Sequence, residues 1–362
     1  MTAPVLESQV LDALRVVRDP DLGRDIVSLG FVKDVRVAKG GGMVAFSIEL
    51  TTPACPVREQ MQQQARQAVA ALPGVTAVEV SMTSRVRSSP GPLKERLIPT
   101  VKNVVPVASG KGGVGKSTVT VNLALALART GARVGIMDAD VYGPSVPTLM
   151  GVADLPKPTA DGIVPAEQYG VKLISMGFFL REDDAIIWRG PMLHKTVQHF
   201  LGSVQWGELD YLLVDLPPGT GDVQLTLCQS IPLTGAAVVS TPQDVALKVA
   251  QKAITMFTQL NTPVLGLIEN MAYYVCPHCG SRDEVFGSGG TRRAAERLGI
   301  PFLGEIPLAT EIRARSDAGR PVALDPASPF ADAYLAIAER LAAQVSIRNM
   351  QRELTPLVQI HY

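Results

Sequence analysis

A chain of 362 residues is longer than a single hydrophobic core usually fills, about 250 to 300 residues, so two domains are expected. Lysine plus arginine balances aspartate plus glutamate at 34 each, which excludes an overall electrostatic bias toward nucleic acid or an anionic membrane. Four cysteines make no disulfide framework, the N-terminus lacks a basic segment followed by an apolar run, and no stretch approaches the roughly 18 apolar residues of a membrane span, so a soluble protein of the reducing cytoplasm is expected.

Residues 1–87 read as a small α+β domain. Val5 to Val17 carries apolar residues at helical spacing, and Asp19-Pro20-Asp21 stops it, because proline disfavours the helical state of the residue before it. Phe31 to Val37 and Met43 to Leu50 alternate apolar and polar residues around Gly40-Gly41-Gly42, the pattern of a β-hairpin with a loose turn. Val57 to Leu72 returns to helical spacing and Val75 to Val80 alternates again. Cys55 stands in the loop Thr51-Thr52-Pro53-Ala54-Cys55-Pro56, and two readings stay open. It is either a buried small apolar residue, or a thiol whose pKa a helix N-terminus lowers so that it acts as ligand or nucleophile. Through Asp19-Pro20-Asp21-Leu22, Ile26-Val27-Ser28-Leu29-Gly30 and Thr52-Pro53-Ala54-Cys55-Pro56 the segment resembles the small cysteine-containing domain family associated with metal–sulfur cluster biosynthesis.

Residues 88–100, opened by Ser88-Ser89-Pro90-Gly91-Pro92, are rich in proline, serine and charge without periodicity and read as a linker. From 101 to 344, apolar runs rich in β-formers alternate with helical segments: Asn103 to Val107, Arg133 to Met137, Tyr211 to Val214, Ala236 to Ser240, Val264 to Ile268 and Phe302 to Ile306. Strands alternating with helices predict an α/β fold, a parallel sheet with helices on both faces and ligands at the carboxyl ends of its strands. Ile163 to Gly177 adds an antiparallel hairpin at a sheet edge in this reading. Residues 345–362 are expected to form a C-terminal tail, which no family resemblance covers.

The chemical centre is Gly110-Lys111-Gly112-Gly113-Val114-Gly115-Lys116-Ser117-Thr118, which fits the P-loop spacing of a glycine, four residues, then Gly-Lys-Ser. Glycines let successive N–H groups turn inward onto phosphate oxygens, and the following helix adds its positive end. Lys116 would reach the outer phosphates, and the Ser117 hydroxyl would coordinate Mg²⁺. The apolar run before the loop and the helical spacing after it supply the strand, loop and helix that phosphate binding needs. Two strands end in acids, at Asp138-Ala139-Asp140 and at Asp215. Asp215, continued by Leu216-Pro217-Pro218-Gly219-Thr220-Gly221-Asp222, is the expected Mg²⁺ partner, and Asp140 is expected to orient the attacking water.

Lys111, the Asp138-Ala139-Asp140 segment and Asp215 to Asp222 together resemble the deviant Walker A ATPases, the group of MinD, ParA and the nitrogenase iron protein. That resemblance implies that Lys111 crosses a nucleotide-sandwich homodimer to the partner's phosphates, as an arginine finger does, and that Asn270 in Glu269-Asn270-Met271 meets the adenine edge. The alternative for Asn270 is a turn asparagine.

Cys276-Pro277-His278-Cys279-Gly280 follows directly, and a lone Cys-x-x-Cys is half a zinc site, half a cluster site or a redox pair. Zinc and ordinary iron–sulfur clusters want four ligands, and the sequence offers no second pair nearby. Cys228 lies in an apolar helical run and reads as core, so the missing ligands come from Cys55, from histidine or from a second chain; a two-fold axis between two Cys276/Cys279 pairs supplies four thiolates. His194 and His199 read as structural. A cluster-biosynthesis domain, the deviant P-loop and this pair after Asn270 together closely resemble the Mrp/ApbC family of iron–sulfur cluster carrier ATPases, from about Val5 to about Ala343. The resemblance implies a homodimer that binds ATP and Mg²⁺, holds a [4Fe-4S] cluster on Cys276 and Cys279, and receives it from assembly scaffolds and passes it to apo iron–sulfur proteins, with no nucleic-acid or membrane partner. The rival reading is a partitioning or positioning ATPase of the ParA/MinD type without a cluster. A weaker one is a zinc-stabilised ATPase.

Overall fold

The computed structural model describes residues 5–38, 42–89, 97–179, 190–276 and 278–354. Gly40 and Gly41 of the expected turn, linker residues 90–96, Pro277 and tail residues 355–362 lie outside the described residues. The chain divides into two compact units, Met1–Arg87 with Ser346–Tyr362, and Ser88–Val345.

The first unit contains α1 (Glu7–Leu14), β1 (Val32–Val37), β2 (Met43–Leu50), α2 (Arg58–Ala70) and β3 (Ala77–Ser84). β1 pairs antiparallel with β2, and β2 pairs in parallel with β3 after the crossover through α2. Alternation makes β2 a strand with one face inward: Val44, Phe46, Ile48 and Leu50 are buried. In α2 the buried residues are Met61, Ala65 and Val69, one per helical turn, and they close the same core. The helix expected over 5–17 stops at Leu14, because the backbone at Val17 is taken by a pairing in which Ile26 N–H donates to the Val17 carbonyl at 3.0 Å. Beyond it, the Asp19 carboxylate accepts from the N–H groups of Asp21 and Leu22, each at 2.9 Å, and so forms the turn itself. Cys55 is half-buried and packs against this core, where Met350 is also buried.

In the second unit, β4 (Val101–Ser109) sits between β8 (Leu209–Asp215) and β9 (Ala236–Ser240). β5 (Val134–Asp138), β7 (Val171–Ser175) and β6 (Ala166–Gln168) continue the sheet beyond β8. β10 (Val264–Val275) lies beyond β9 and pairs with β12 (Phe302–Leu308) and β11 (Arg282–Asp283). Among the described residues nine strands form this one sheet, parallel except where β6 meets β7 and β11 meets β10. The expected edge hairpin is therefore present, as β6 and β7. Every residue of β5, β8 and β9 is buried, which is why these strands read as unbroken apolar runs rather than alternating ones.

The helices are α3 (Lys116–Arg129), α4 (Val146–Met150), α5 (Gly190–Ser203), α6 (Asp222–Ser230), α7 (Asp244–Gln259), α8 (Gly290–Leu298), α9 (Thr310–Asp317) and α10 (Pro329–Leu354). No helix among the described residues is long and apolar enough to cross a membrane. Because β4 is flanked by two strands from later in the chain, its carboxyl end opens at a switch in strand order, the place where α/β sheets bind ligands.

Candidate nucleotide and cysteine sites

The P-loop leaves the carboxyl end of β4 and is fixed from three sides. Ser109 Oγ donates to the Lys111 carbonyl at 3.0 Å, tightening the first turn. Gly110 lies so close to α7 that a Cβ there would collide with the backbone of Val249 and Ala250. On the other side the Asn270 side-chain NH₂ donates to the Val114 carbonyl at 2.8 Å. Gly115, the N-cap of α3, has φ +78°, a left-handed conformation that glycine adopts without strain, and a side chain there would strike Asn270. Gly112 faces the Pro218 ring across ordinary van der Waals distance, and Gly219 N–H donates to the Ser109 carbonyl at 2.9 Å, so the loop after β8 hangs beside the P-loop.

Lys116 is buried, and its ammonium stands 2.7 Å from Asp215 Oδ2 and 3.6 Å from Asp140 Oδ2. Ser117 Oγ donates to Asp215 Oδ2 at 2.5 Å, and Thr120 Oγ1 donates to Asp215 Oδ1 at 2.8 Å. The sheet and α3 thus bring Lys116, Ser117, Asp140 and Asp215 together; Thr118 occupies the same first turn, its carbonyl accepting from Asn122 at 2.8 Å. Thr120 was not singled out from the sequence, although three-residue spacing from Ser117 puts both hydroxyls on one side of the helix.

Asp138 is the other acid the sequence left without a role. Parallel pairing sets it level with Asp215 on the neighbouring strand, and it is fully buried. Its carboxylate accepts from Ser175 Oγ at 2.8 Å, Asp140 N–H at 3.1 Å and Val146 N–H at 3.2 Å. Burial first, and the Asp215 charge second, push its pKa up to about 7 in spite of these donors. The signal was present in the sequence: two strands ending in aspartate at the same level of one parallel sheet.

Asn270 lies inside β10, level with Ile306 of β12, and not in a turn. Directly after it Met271 takes φ +55°, and the β10–β12 register shifts between Asn270 and Tyr274, so the strand is bulged where it leaves the P-loop. Glu269, on the opposite face, is fully buried and accepts from Gly289 and Thr291 N–H at the start of α8, at 3.1 and 2.6 Å. That helix N-terminus is therefore already supplied with a carboxylate.

Past its bulge β10 runs to Val275 and pairs antiparallel with β11, which places Cys276 and residues 278–281 in a hairpin loop closed by Cys276 N–H donating to the Ser281 carbonyl at 2.9 Å. Cys276 is half-buried and Cys279 is exposed. Cys279 Sγ lies 3.0 Å from Ser281 Oγ, and hydrogen bonds from the Ser281 hydroxyl, its backbone and the Cys276 thiol hold the Cys279 thiol below its ordinary pKa. Arg282 stacks on the Tyr273 ring at 3.7 Å at the base of the hairpin. His278 is exposed. Among the described residues no group of three or more histidine, cysteine or acidic side chains is placed to hold a metal ion. Cys228 is core, its thiol pushed up to about 12 by burial. His194 and His199 hydrogen-bond to Ser230 and Ser203.

A family model described as a NUBPL iron-transfer P-loop NTPase matches residues 100–342, which contain both the P-loop and the cysteine hairpin. The chain belongs to the NUBPL iron-transfer P-loop NTPase family. Membership makes it a nucleotide-hydrolysing enzyme with the α/β fold described above. A second model, described as an iron–sulfur cluster assembly protein, matches residues 7–81. The chain is 48% identical over 349 residues to a protein of Deinococcus radiodurans named iron-sulfur cluster carrier protein, covering 95% of this chain and 97% of that one. It is 46% identical to a protein of the same name from Synechocystis, covering 93% and 97%. Among solved structures it is similar to a nucleotide-binding protein from Archaeoglobus fulgidus in complex with ADP, with TM-score 0.58, 43% identity, and coverage of 66% of this chain and 93% of that one.

Proposed function

We propose that this family member is an ATP-dependent iron–sulfur cluster carrier that works as a homodimer. One observation carries the reading: the strand that braces the P-loop through Asn270 ends in an exposed hairpin presenting just two thiols, Cys276 and Cys279, with no third ligand gathered among the described residues. Half a ligand set on an accessible loop is completed by the same half from a second copy, and bridging ligation on an exposed seam is easier to dismantle than four ligands from one buried chain. The carrier names of the close relatives agree with this cargo.

In this reading the cargo is a [4Fe-4S] cluster held by Cys276 and Cys279 of both subunits, received from assembly scaffolds and released to apo iron–sulfur proteins in the cytoplasm. Residues Gly110 to Thr118 cradle the phosphates of ATP. Lys116 exchanges its contact with Asp215 for phosphate oxygens, and Lys111 reaches the partner's nucleotide. Ser117 Oγ and Asp215 Oδ2 are hard oxygen donors side by side, which fits Mg²⁺, and the ion would supply charge neutralisation at the phosphates. Asp140, 3.6 Å from Lys116, orients the attacking water in this reading. Asn270 holds the Val114 carbonyl through its NH₂, and in this reading its amide oxygen meets the adenine edge.

The test is Cys276→Ala, reconstituted with iron and sulfide without oxygen. The variant is expected to lose bound iron and the brown visible absorption while it still binds ATP. Cluster loading equal to the parent protein would overturn the assignment, and colourless protein carrying zinc would favour a structural metal instead.

A further inference from the structure

Within one subunit Lys111 is not idle. Its ammonium donates to Gln243 Oε1 at 3.2 Å, across 132 residues of sequence, and among the described residues it makes no ion pair. Gln243 is the N-cap residue of α7, yet its side chain makes no capping bond. Glutamine is a poor N-cap, and here its carbonyl oxygen is spent instead on Lys111 and on Thr241 Oγ1, 3.1 Å away. The pairing is not a chance meeting of two surface side chains. The backbone of α7 is pressed against Gly110, so the residue before Lys111 and the helix that carries Gln243 are held in fixed relation.

The resting place is also a weak one. Lys111 is held by a neutral amide oxygen at the start of a 16-residue helix, whose N-terminal field the Asp244 carboxylate in the first turn offsets. Phosphate oxygens offer the same ammonium shorter, charge-assisted bonds. A cation parked on a neutral acceptor is poised for exchange.

We propose that Gln243 is a positioning residue that latches Lys111 inside its own subunit, and that nucleotide-driven dimerisation exchanges this contact for the phosphates of the partner subunit. The latch rests on the reading of Lys111 as a lysine that acts across the dimer. It sets the threshold for assembly: a subunit releases Lys111 when a partner's triphosphate is there to receive it.

The experiment uses the full chain with Mg²⁺ and a non-hydrolysable ATP analogue, measuring the dimer dissociation constant by sedimentation equilibrium, nucleotide affinity below the dimerisation range, and kcat with ATP. Gln243→Ala is expected to tighten the dimer by about 5- to 150-fold, the worth of two neutral hydrogen bonds, one latch in each subunit. Gln243→Glu gives Lys111 an ionic partner and is expected to loosen the dimer about tenfold or more and lower kcat, with nucleotide affinity of the monomer unchanged. This variant also tests folding, because a carboxylate at that helix end favours the helix. In a Lys111→Ala background neither substitution should change dimerisation further. Gln243→Ala that leaves the dimer unchanged or weaker, or that acts equally without Lys111, overturns the latch alone. A Lys111→Ala protein that dimerises and turns over like the parent overturns the trans reading and the latch together.

Discussion

At the scale of single residues, the nucleotide site is a buried balance of one cation against several acids. Lys116 lies 2.7 Å from Asp215 and 3.6 Å from Asp140, while Asp138, level with Asp215, has its pKa pushed up from 3.8 to about 7. A carboxyl raised on folding takes up a proton when the chain folds below that value. Its contribution to stability is fully present below about pH 4 and is lost as pH rises through about 7. Asp138→Asn removes the titration but keeps the shape. It costs a constant amount, because one of the donors from Ser175, Asp140 and Val146 loses its acceptor. The expected result in urea unfolding is that the parent loses stability relative to the variant between pH 4 and 7, at up to about 1.4 kcal/mol per pH unit. A parallel pH dependence of the two proteins would show that Asp138 stays ionised in the fold.

At the scale of elements, the P-loop is shaped as much by what packs on it as by its own glycines. Gly110→Ala would drive a methyl group into the backbone of Val249 and Ala250, atoms that cannot swing aside as a side-chain end can. The expected outcome is a loss of about 1–3 kcal/mol in thermal or chemical unfolding, with nucleotide affinity falling as well, since α7 and the loop must separate. Equal stability with equal affinity would mean that the helix is free to retreat. This contact marks the limit of what the sequence could tell. The loop, the strand before it, Asp215 at the end of β8 and the edge hairpin β6–β7 were all legible, because apolar runs, glycine spacing and strand-end acids are local signals. The contacts that tune the site were not. Gln243 on Lys111, Asn270 on Val114 and α7 on Gly110 join residues more than 130 positions apart, and nothing in local spacing announces them. The extension of β10 from Ile268 to Val275 was hidden for a related reason: Glu269 and Asn270 look like the end of a strand, yet both are buried, each satisfied by a long-range partner.

At the scale of the whole molecule, the question is whether a cluster belongs to one chain or to two. β10 carries both the P-loop brace and, past its bulge, the cysteine hairpin, so a change in the nucleotide site has a short covalent route to the thiols. Cys228 does not complete the set: it is core, with its thiol pushed up to about 12, a poor thiolate donor. A subunit-mixing experiment decides between the two. Parent chains and chains carrying both Cys276→Ala and Cys279→Ala are mixed in equal amounts, allowed to exchange, and reconstituted with iron and sulfide. If each cluster needs four thiolates from two parent chains, only parent–parent dimers load, and cluster content falls to about one quarter of the unmixed parent. If one chain holds a cluster alone, content falls only to about one half, in proportion to parent chains. Intermediate mixtures sharpen the contrast, because a shared site follows the square of the parent fraction and a private site follows it linearly. We expect the square law. A linear dependence would remove the dimer from cluster binding while leaving the P-loop assignment intact.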